Sequence, residues 1–212
     1  MTTIGTQMRI LTRRLGLAAL VLATVSCGDV IRQGRSPSVL VMTSLLAASG
    51  GGHAANTFGS FLQSDVIVLL TAPPPCTAAS PCPTLFSDTG QATISLVMKD
   101  ITIAPTSNNQ VTITRFRVAY RRADGRNTPG LDVPFPFEGA ATATVVGGGS
   151  AVISFEIVRH TAKEESPLVQ LGSNPDIITT IADVTFYGKD LVGNDVTLTG
   201  SIQIDFGNFG DT

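Results

Sequence analysis

Polar and apolar residues alternate along most of the chain after residue 38, and the alternation is clearest near the C-terminus. In residues 196–206 every second position is apolar or Gly, and the positions between are Thr, Ser, Gln and Asp. Residues 178–187 show a similar alternation, and residues 188–195 are rich in Gly, Asn and Asp. A period of two is typical of strands with one buried and one solvated face. These segments therefore predict an antiparallel hairpin.

Six further strands are predicted earlier in the chain. They lie at residues 38–42, 66–70, 93–100, 110–122, 142–146 and 151–159. Residues 66–70 form an unbroken apolar run, which indicates a central strand. Within 110–122 the apolar parity changes between Ile113 and Phe116, which indicates a β-bulge or a strand that changes sheets. The Gly-rich residues 147–150 predict a hairpin connection.

No segment has an apolar stripe of helical period and helical length. Residues 162–171 allow one turn, which Pro167 limits, and residues 45–60 are interrupted by three consecutive Gly and are predicted to be mostly loop. Seven or eight short strands separated by turns favour an all-β fold. We expect two packed antiparallel sheets, a sandwich, although the strand spacing also allows a barrel.

The N-terminus has the features of an export signal. Arg9, Arg13 and Arg14 precede an apolar run over residues 15–25, which is shorter than the roughly 20 residues that a membrane-spanning helix needs. The run ends in Thr24-Val25-Ser26-Cys27-Gly28, which resembles a bacterial lipobox except that Thr24 replaces the usual Leu.

Three segments are therefore predicted: a lipoprotein signal peptide at 1–26, a lipidated tether at 27–37 beginning with Cys27, and one domain at 38–212. A plain signal peptide with a coincidental Cys is the alternative, and Met8 is an alternative initiator to Met1. Gly28 is not the Asp associated with retention in the inner membrane in some bacteria. An outer-membrane location is therefore favoured over an inner-membrane one.

Two resemblances follow from these residues. Residues 182–201, Ala-Asp-Val-Thr-Phe-Tyr-Gly-Lys-Asp-Leu-Val-Gly-Asn-Asp-Val-Thr-Leu-Thr-Gly-Ser, look like the closing hairpin of bacterial immunoglobulin-like domains. The whole chain resembles uncharacterised bacterial envelope lipoproteins, with which it shares the Cys27-Gly-Asp start and a segment like residues 120–130. The resemblance implies an immunoglobulin-like or fibronectin-like sandwich and brings no known activity.

Cys76 and Cys82 are the thiols that remain once Cys27 carries lipid. An even pair in an exported protein indicates a disulfide. A metal site needs more thiol or imidazole ligands nearby, and a redox pair is typically Cys-x-x-Cys. The pair therefore predicts a disulfide that closes a tight loop between two strands.

The charge of the chain excludes one class of partner. Removing residues 1–26 removes three of the 14 basic residues and none of the 16 acidic ones, which leaves a net charge of −5. A nucleic-acid-binding protein needs a basic face, so no nucleic-acid partner is expected. We expect membrane attachment through the lipid rather than through surface charge.

Three groups of residues are candidates for binding. Arg115, Arg117 and Arg121 share one strand face, which either grips an acidic partner through carboxylate contacts or is paired internally. Asp190 and Asp195 are weak Ca²⁺ candidates, because turn chemistry alone explains acidic residues there.

The third group lies in residues 129–137, where Pro alternates with Phe135 and Phe137. Such a segment is either an exposed contact site or a crossing loop whose Phe side chains cap the end of the sandwich.

The sequence shows no recognisable catalytic constellation. It contains two His, His53 and His160, and lacks a Gly-x-Ser-x-Gly elbow. We therefore expect a non-enzymatic, lipid-anchored protein of the cell envelope, with no cofactor and with an unknown envelope protein as partner, acting as an interaction, scaffold or adhesion module. A lipoprotein that binds a small ligand or Ca²⁺ is the alternative, and a periplasmic hydrolase is a third hypothesis.

Overall fold

The computed structural model describes residues 36–51 and 57–209. The predicted signal peptide, the lipidated Cys27, most of the predicted tether and His53 lie outside the described residues. The strands are β1 (Ser38–Ala48), β2 (Phe61–Asp65), β3 (Val68–Leu70), β4 (Cys82–Thr84), β5 (Asp88–Met98), β6 (Gln110–Arg121), β7 (Phe137–Val146), β8 (Ser150–Val158), β9 (Ile178–Asp190) and β10 (Asp195–Gly207). The helical segments are α1 (His160–Lys163) and a 3₁₀ helix (Leu168–Ser173).

The strands form two larger sheets and one small hairpin. The three-stranded sheet has the order β1-β5-β8, and all its pairs are antiparallel. The five-stranded sheet has the order β2-β10-β9-β6-β7, in which the pair β2–β10 is parallel and the other pairs are antiparallel. β3 and β4 pair separately. The all-β expectation is confirmed, and the two larger sheets pack together as in a β-sandwich.

The alternation near the C-terminus produces the hairpin that was predicted. Ala182, Val184 and Phe186 of β9 are fully buried, as are Ile204 and Phe206 of β10. The residues between them face solvent, because successive side chains of a strand point to opposite faces of the sheet. The observed strands extend to Asp190 and from Asp195, so the turn itself is shorter than predicted.

Three Phe rings pack together between the two sheets. The ring of Phe155 in the three-stranded sheet lies 5.2 Å from that of Phe116 and 5.3 Å from that of Phe186, both in the five-stranded sheet. A Cβ atom on Gly90 would lie 2.5 Å from the Phe155 ring. The glycine therefore leaves the room that this aromatic packing needs.

Strand β6 contains the predicted bulge. Its register shifts between Ile113 and Arg115 in its pairing with β7 and also in its pairing with β9. The strand stays within one sheet, so the bulge explains the parity change and a change of sheet does not. Because of the extra residue, Val111 and Ile113 on one side of the bulge and Phe116 on the other all face the core.

The prediction of a central strand at residues 66–70 is wrong. Only Val68–Leu70 are extended, and they pair with β4 in the two-stranded hairpin. Val66 is buried in the connection after β2, so an unbroken apolar run here reflects burial rather than a central position. The edge strand β2 was not predicted, because its five residues bring only one apolar side chain, Leu62, into the core.

The hairpin predicted at residues 147–150 is also wrong. β7 and β8 belong to different sheets, so this connection crosses from one layer to the other. Leu96 of β5 holds it, since its backbone N–H donates to the carbonyl of Gly149 (3.1 Å) and its carbonyl accepts from the N–H of Gly148 (2.9 Å).

The remaining expectations were partly correct. β1 continues to Ala48, so part of the segment that was predicted as loop is strand. Two short helical segments flank Pro167, which is the N-cap of the 3₁₀ helix, where one turn was expected. The described residues form ten strands where seven or eight were predicted.

The predicted disulfide is confirmed. Cys76 and Cys82 are bonded, with their Cα atoms 5.3 Å apart. The bond closes the loop between β3 and β4, as expected from the sequence.

The aromatic packing predicts a large difference between two Phe→Ala substitutions. Phe186 is fully buried, whereas Phe61 is 54% exposed. We expect Phe186→Ala to lower the free energy of unfolding by about 3–5 kcal/mol, because it removes buried apolar surface and leaves a cavity. Phe61→Ala should cost about 0.5 kcal/mol or less. Denaturant unfolding of the two variants measures both values, and equal losses would contradict this core arrangement.

Candidate functional site

The bulge in β6 shapes a groove on the solvent face of the five-stranded sheet. The groove has a volume of about 400 Å³, and six of its lining residues carry polar side chains: Thr114, Arg115, Tyr187, Lys189, Asp195 and Thr197. Gly188 lies at its floor, where a Cβ atom would approach the backbone carbonyl oxygen of Thr112 to 2.6 Å. The glycine therefore allows β9 to lie close to β6 beneath the groove.

Arg115 and Tyr187 form the aromatic side of this groove. The Arg115 guanidinium lies 4.0 Å from the centroid of the Tyr187 ring, which is a cation–π contact. The same guanidinium donates to a carboxylate oxygen of Glu138 on β7 at 2.8 Å. Arg115 is thus held in one orientation by a neighbour on each side, and half of its side chain remains exposed.

The other two predicted arginines of this face differ in their partners. Arg121 donates from Nε to Asp183 at 2.8 Å, and Asp183 also accepts from the hydroxyl of Ser201. Hydrogen bonding and the charge of Asp183 raise the pKa of Arg121. The side chain of Arg117 is exposed and makes no hydrogen bond or ion pair with the described part of the chain. The face is therefore partly paired internally, and the Arg117 guanidinium is open to solvent.

Lys189 and Asp195 form the opposite rim of the groove, with Nζ 2.7 Å from a carboxylate oxygen. The second calcium candidate, Asp190, accepts from the backbone N–H groups of Val192 (3.1 Å) and Asn194 (2.8 Å) and from the Asn194 side chain (2.8 Å). Partial burial raises the pKa of Asp190, but these hydrogen bonds outweigh it and lower the pKa below its ordinary value. The two carboxylates therefore hold a turn and a lysine, which is what turn chemistry predicts.

The two predicted Phe residues have different environments. Phe137 is buried in the core, where its ring packs edge-on against Phe116 at 6.0 Å and the Arg159 guanidinium lies 4.6 Å from its centroid. Phe135 is 46% exposed and lies over Gly130. Phe137 is therefore a packing residue and not an exposed contact. Phe135 reaches solvent because it lies in the loop before β7, whereas Phe137 is the first residue of that strand.

A second basic cluster lies in the loop that follows β6. The carboxylate of Asp124 accepts hydrogen bonds from Arg122 (2.9 Å) and from Arg126 (2.8 Å). These bonds hold the pKa of Asp124 well below its ordinary range. The loop is therefore a self-contained ionic cluster and is separate from the groove.

One end of the sandwich carries several exposed apolar side chains. The chain enters β1 there, and the loops 99–109, 147–149 and 191–194 lie beside this entry point. We call it the entry end. The N–H of Lys99 donates to the carbonyl of Pro37 at 3.0 Å, which fixes the first of these loops to the start of β1. Ile101 is 94% exposed and Val192 is 81% exposed, and Ile103 and Leu191 are more than half exposed.

A buried ionic cluster lies at the opposite end. Lys163 of α1 contacts Asp88 at the start of β5, with Nζ 3.1 Å from Oδ2, and the two side chains are 1% and 0% exposed. Ser64 Oγ donates to Asp88 Oδ2 at 2.6 Å, and the N–H of Gly50 donates to Oδ1 at 2.9 Å. The backbone carbonyl of Asp65 accepts from Lys163 at 2.7 Å. Burial is the largest effect on Asp88 and raises the pKa of its carboxyl.

Sequence reasoning missed Tyr187, Glu138 and the Lys163–Asp88 pair. Tyr187 lies at an outward position of a predicted strand, among Thr residues. A large aromatic side chain on the solvent-exposed face of a sheet could have indicated a binding residue. Lys163 and Asp88 are 75 positions apart, and no local pattern links residues at that separation.

Within residues 36–51 and 57–209 no three His, Cys, Asp or Glu side chains gather where they could hold a metal ion. His160 is exposed at the start of α1. None of the helical segments in the described residues has the length and hydropathy to cross a membrane.

No protein-family model matches the chain, and neither a curated protein nor a solved structure is significantly similar to it. A functional proposal for this chain therefore depends on the contacts of its own residues.

The close approach at Gly188 predicts that an added methyl group disturbs the groove. We expect Gly188→Ala to lower the free energy of unfolding by about 1–3 kcal/mol, because the methyl group meets backbone that cannot rotate away. Gly172→Ala is the matched control, since its Cβ would meet only the mobile end of the Ile67 side chain. Denaturant unfolding measures both, and a loss at Gly172 as large as that at Gly188 would contradict a rigid groove floor.

Proposed function

We propose that this protein is a non-enzymatic, lipid-anchored interaction module of the bacterial cell envelope with an immunoglobulin-like fold. The observation that carries the proposal is the solvent face of the five-stranded sheet, where Arg115 and Tyr187 are fixed side by side and Arg117 is exposed beside them. Arg and Tyr are enriched at protein interfaces and dominate their binding energy. The lipobox-like sequence ending at Cys27 supports the anchor.

The strand order supports the immunoglobulin-like part of the proposal. In such domains strands A, B and E lie in one sheet, and strands C′, C, F and G lie in the other. The orders β1-β5-β8 and β7-β6-β9-β10 match these two series in sequence order. The short strand β2 adds to the edge of β10, the strand that corresponds to G.

The partner that suits this face is an acidic segment of another envelope protein. A guanidinium binds a carboxylate through two parallel hydrogen bonds, and Arg117 has its donors available for such a contact. Arg115 keeps half of its side chain exposed above the Tyr187 ring. A carboxylate that reaches Arg117 therefore meets a preoriented aromatic neighbour as well as a positive charge.

A small molecule is the second candidate ligand, because the groove beside Arg115 has a volume of about 400 Å³, within the range typical of ligand pockets. The lining of the groove suits an anionic, planar compound that stacks on Tyr187. If a photo-reactive group on this face cross-links no protein, that result would favour the small-molecule candidate.

The entry end supports the orientation of an anchored module. Cys27 precedes Ser36 by only nine residues, and an extended chain spans at most about 3.6 Å per residue. A lipid on Cys27 therefore keeps the entry end within roughly 30 Å of the bilayer. The exposed Ile101 and Val192 side chains of that end are suited to the bilayer surface.

Substitution at Arg117 tests the binding face. A photo-reactive amino acid at the exposed Ala140, which lies opposite Arg115 on β7, should cross-link one specific protein in native membranes. We expect Arg117→Glu to abolish this product while the melting temperature stays unchanged, because Arg117 makes no ion pair with the described chain.

The matched control is Arg126→Glu, which makes the same charge change in the loop after β6 and should leave the cross-link intact. A second control moves the probe to Ser154 on the outer face of the other sheet. A product that survives Arg117→Glu, or one that appears equally from Ser154, would contradict the assignment of this face.

The anchored orientation makes a separate prediction that uses tryptophan fluorescence. The chain contains no Trp, so Val192→Trp or Ile101→Trp introduces a single reporter at the entry end. We expect brominated lipids to quench its fluorescence when the full lipidated protein is reconstituted into vesicles, because the bromine atoms lie in the bilayer.

Val169→Trp is the control, because Val169 is also exposed, at 48%, and lies on the 3₁₀ helix at the opposite end. Quenching there should be weak. Equal quenching of the reporters at the two ends would contradict an orientation with the entry end towards the membrane.

A further inference from the structure

The structure buries one lysine directly against one aspartate. Lys163 Nζ lies 3.1 Å from Oδ2 and 3.2 Å from Oδ1 of Asp88. The side chains are 1% and 0% exposed, and charged groups are seldom buried so completely. The near-equal distances show that the nitrogen contacts both oxygens of the carboxyl group.

We propose that Lys163 and Asp88 condense to form an intramolecular amide bond between Nζ and Cγ. The cross-link joins the start of β5 to the connection between β8 and β9. It does not depend on the proposed binding function, since it concerns the opposite end of the sandwich from the entry end and no residue of the groove.

The environment favours the neutral forms that the reaction needs. Removing a charge from water is costly, so a dry pair tends to exchange its proton and become an amine and a carboxylic acid. Burial also raises the pKa of Asp88, which favours the protonated carboxyl. The addition step requires that one proton passes from Nζ to the carboxyl group, which gives the amine and the carboxylic acid that react.

The surrounding hydrogen bonds fit the roles that the addition step requires. The backbone carbonyl of Asp65 accepts from Nζ at 2.7 Å and orients the amine. The N–H of Gly50 donates to Asp88 Oδ1 at 2.9 Å, where it would stabilise the developing oxyanion. Ser64 Oγ donates to Oδ2 at 2.6 Å, which identifies Oδ2 as the leaving oxygen. The fold holds the amine and the carboxyl group in contact, which removes the entropic cost of bringing them together.

The atoms and electrons balance without a cofactor. The lone pair of Nζ forms the bond to Cγ, and the Cγ–Oδ2 bond breaks with its electron pair on oxygen. One proton from the nitrogen joins the Oδ2 hydroxyl, which leaves as water. The amide nitrogen keeps one hydrogen, and no oxidant, reductant or other reactant takes part.

Peptide mapping of the full wild-type chain tests the proposal directly. The folded protein is denatured, reduced, alkylated and digested with trypsin. If Lys163 and Asp88 form only an ion pair, trypsin cuts after Lys163 and releases the peptide 160–163. We expect instead that the amide bond on Lys163 blocks cleavage at this residue. Peptide 36–99, which contains Asp88, should then be joined to peptide 160–189, with a total mass lower than the sum by one water molecule.

Free peptide 160–163 in full yield, together with an unlinked peptide 36–99, would overturn the proposal and leave an ion pair. The measurement uses wild-type protein, so it does not depend on whether a variant folds. Fragmentation of the linked species between Asp88 and Lys163 would locate the bond.

Electrophoresis in SDS under reducing conditions gives a second measure. A cross-link between residues 88 and 163 keeps a loop closed in the denatured chain, so wild type should migrate faster than Lys163→Met and Asp88→Ala, which cannot form the bond. Ser64→Ala keeps both reacting groups and should accumulate the cross-linked form more slowly after synthesis. Identical mobility of wild type and Lys163→Met would count against the cross-link.

Discussion

The packing of two apolar sheet faces against each other is the constraint on which the rest of the structure depends. Phe155 from one sheet lies between Phe116 and Phe186 from the other. This packing determines which residues of each strand face outward. In β6 the bulge after Ile113 is needed because apolar residues on both sides of it must reach the core. The same bulge turns Arg115 and Arg117 outward and opens the groove, so the candidate site is a consequence of core packing.

Much of this arrangement could be predicted from the sequence, because long alternating strands carry several core residues each. The strands β9 and β10 and the bulge in β6 could be predicted for this reason. The disulfide could be predicted because Cys76 and Cys82 form an even pair close together in the sequence. Short elements escaped prediction for the opposite reason. β2 contributes one buried apolar residue, Leu62, and its parallel pairing with β10 depends on residues more than a hundred positions away. The sequence of residues 147–149 is typical of a hairpin turn. Only the order of the strands in the sheets shows that this segment is a crossing connection and not a hairpin.

The candidate site also has features that the sequence predicts and features that it does not. The shared face of Arg115, Arg117 and Arg121 follows from strand parity, and it could be predicted. Their partners could not, since Glu138 and Asp183 lie on neighbouring strands whose register is set by the whole sheet. Of the two interpretations left open for the Pro-rich segment, the burial of Phe137 favours the packing one. Strand alternation would place Phe135 and Phe137 on the same face, so the exposure of Phe135 follows from its position in the loop before β7.

The proposed anchor and the proposed partner would act on different sheets. A pulling force on an anchor at Cys27 would enter β1, whose neighbour in the three-stranded sheet is β5. A partner bound at Arg117 would hold β6 of the other sheet. Between them the two layers are joined by side-chain packing and by the connections of the chain that cross from one sheet to the other. A covalent bond from Asp88 of β5 to Lys163, five residues after the end of β8, would tie the three-stranded sheet to the connection that crosses to β9. That connection would then be fixed covalently at the end opposite the proposed anchor.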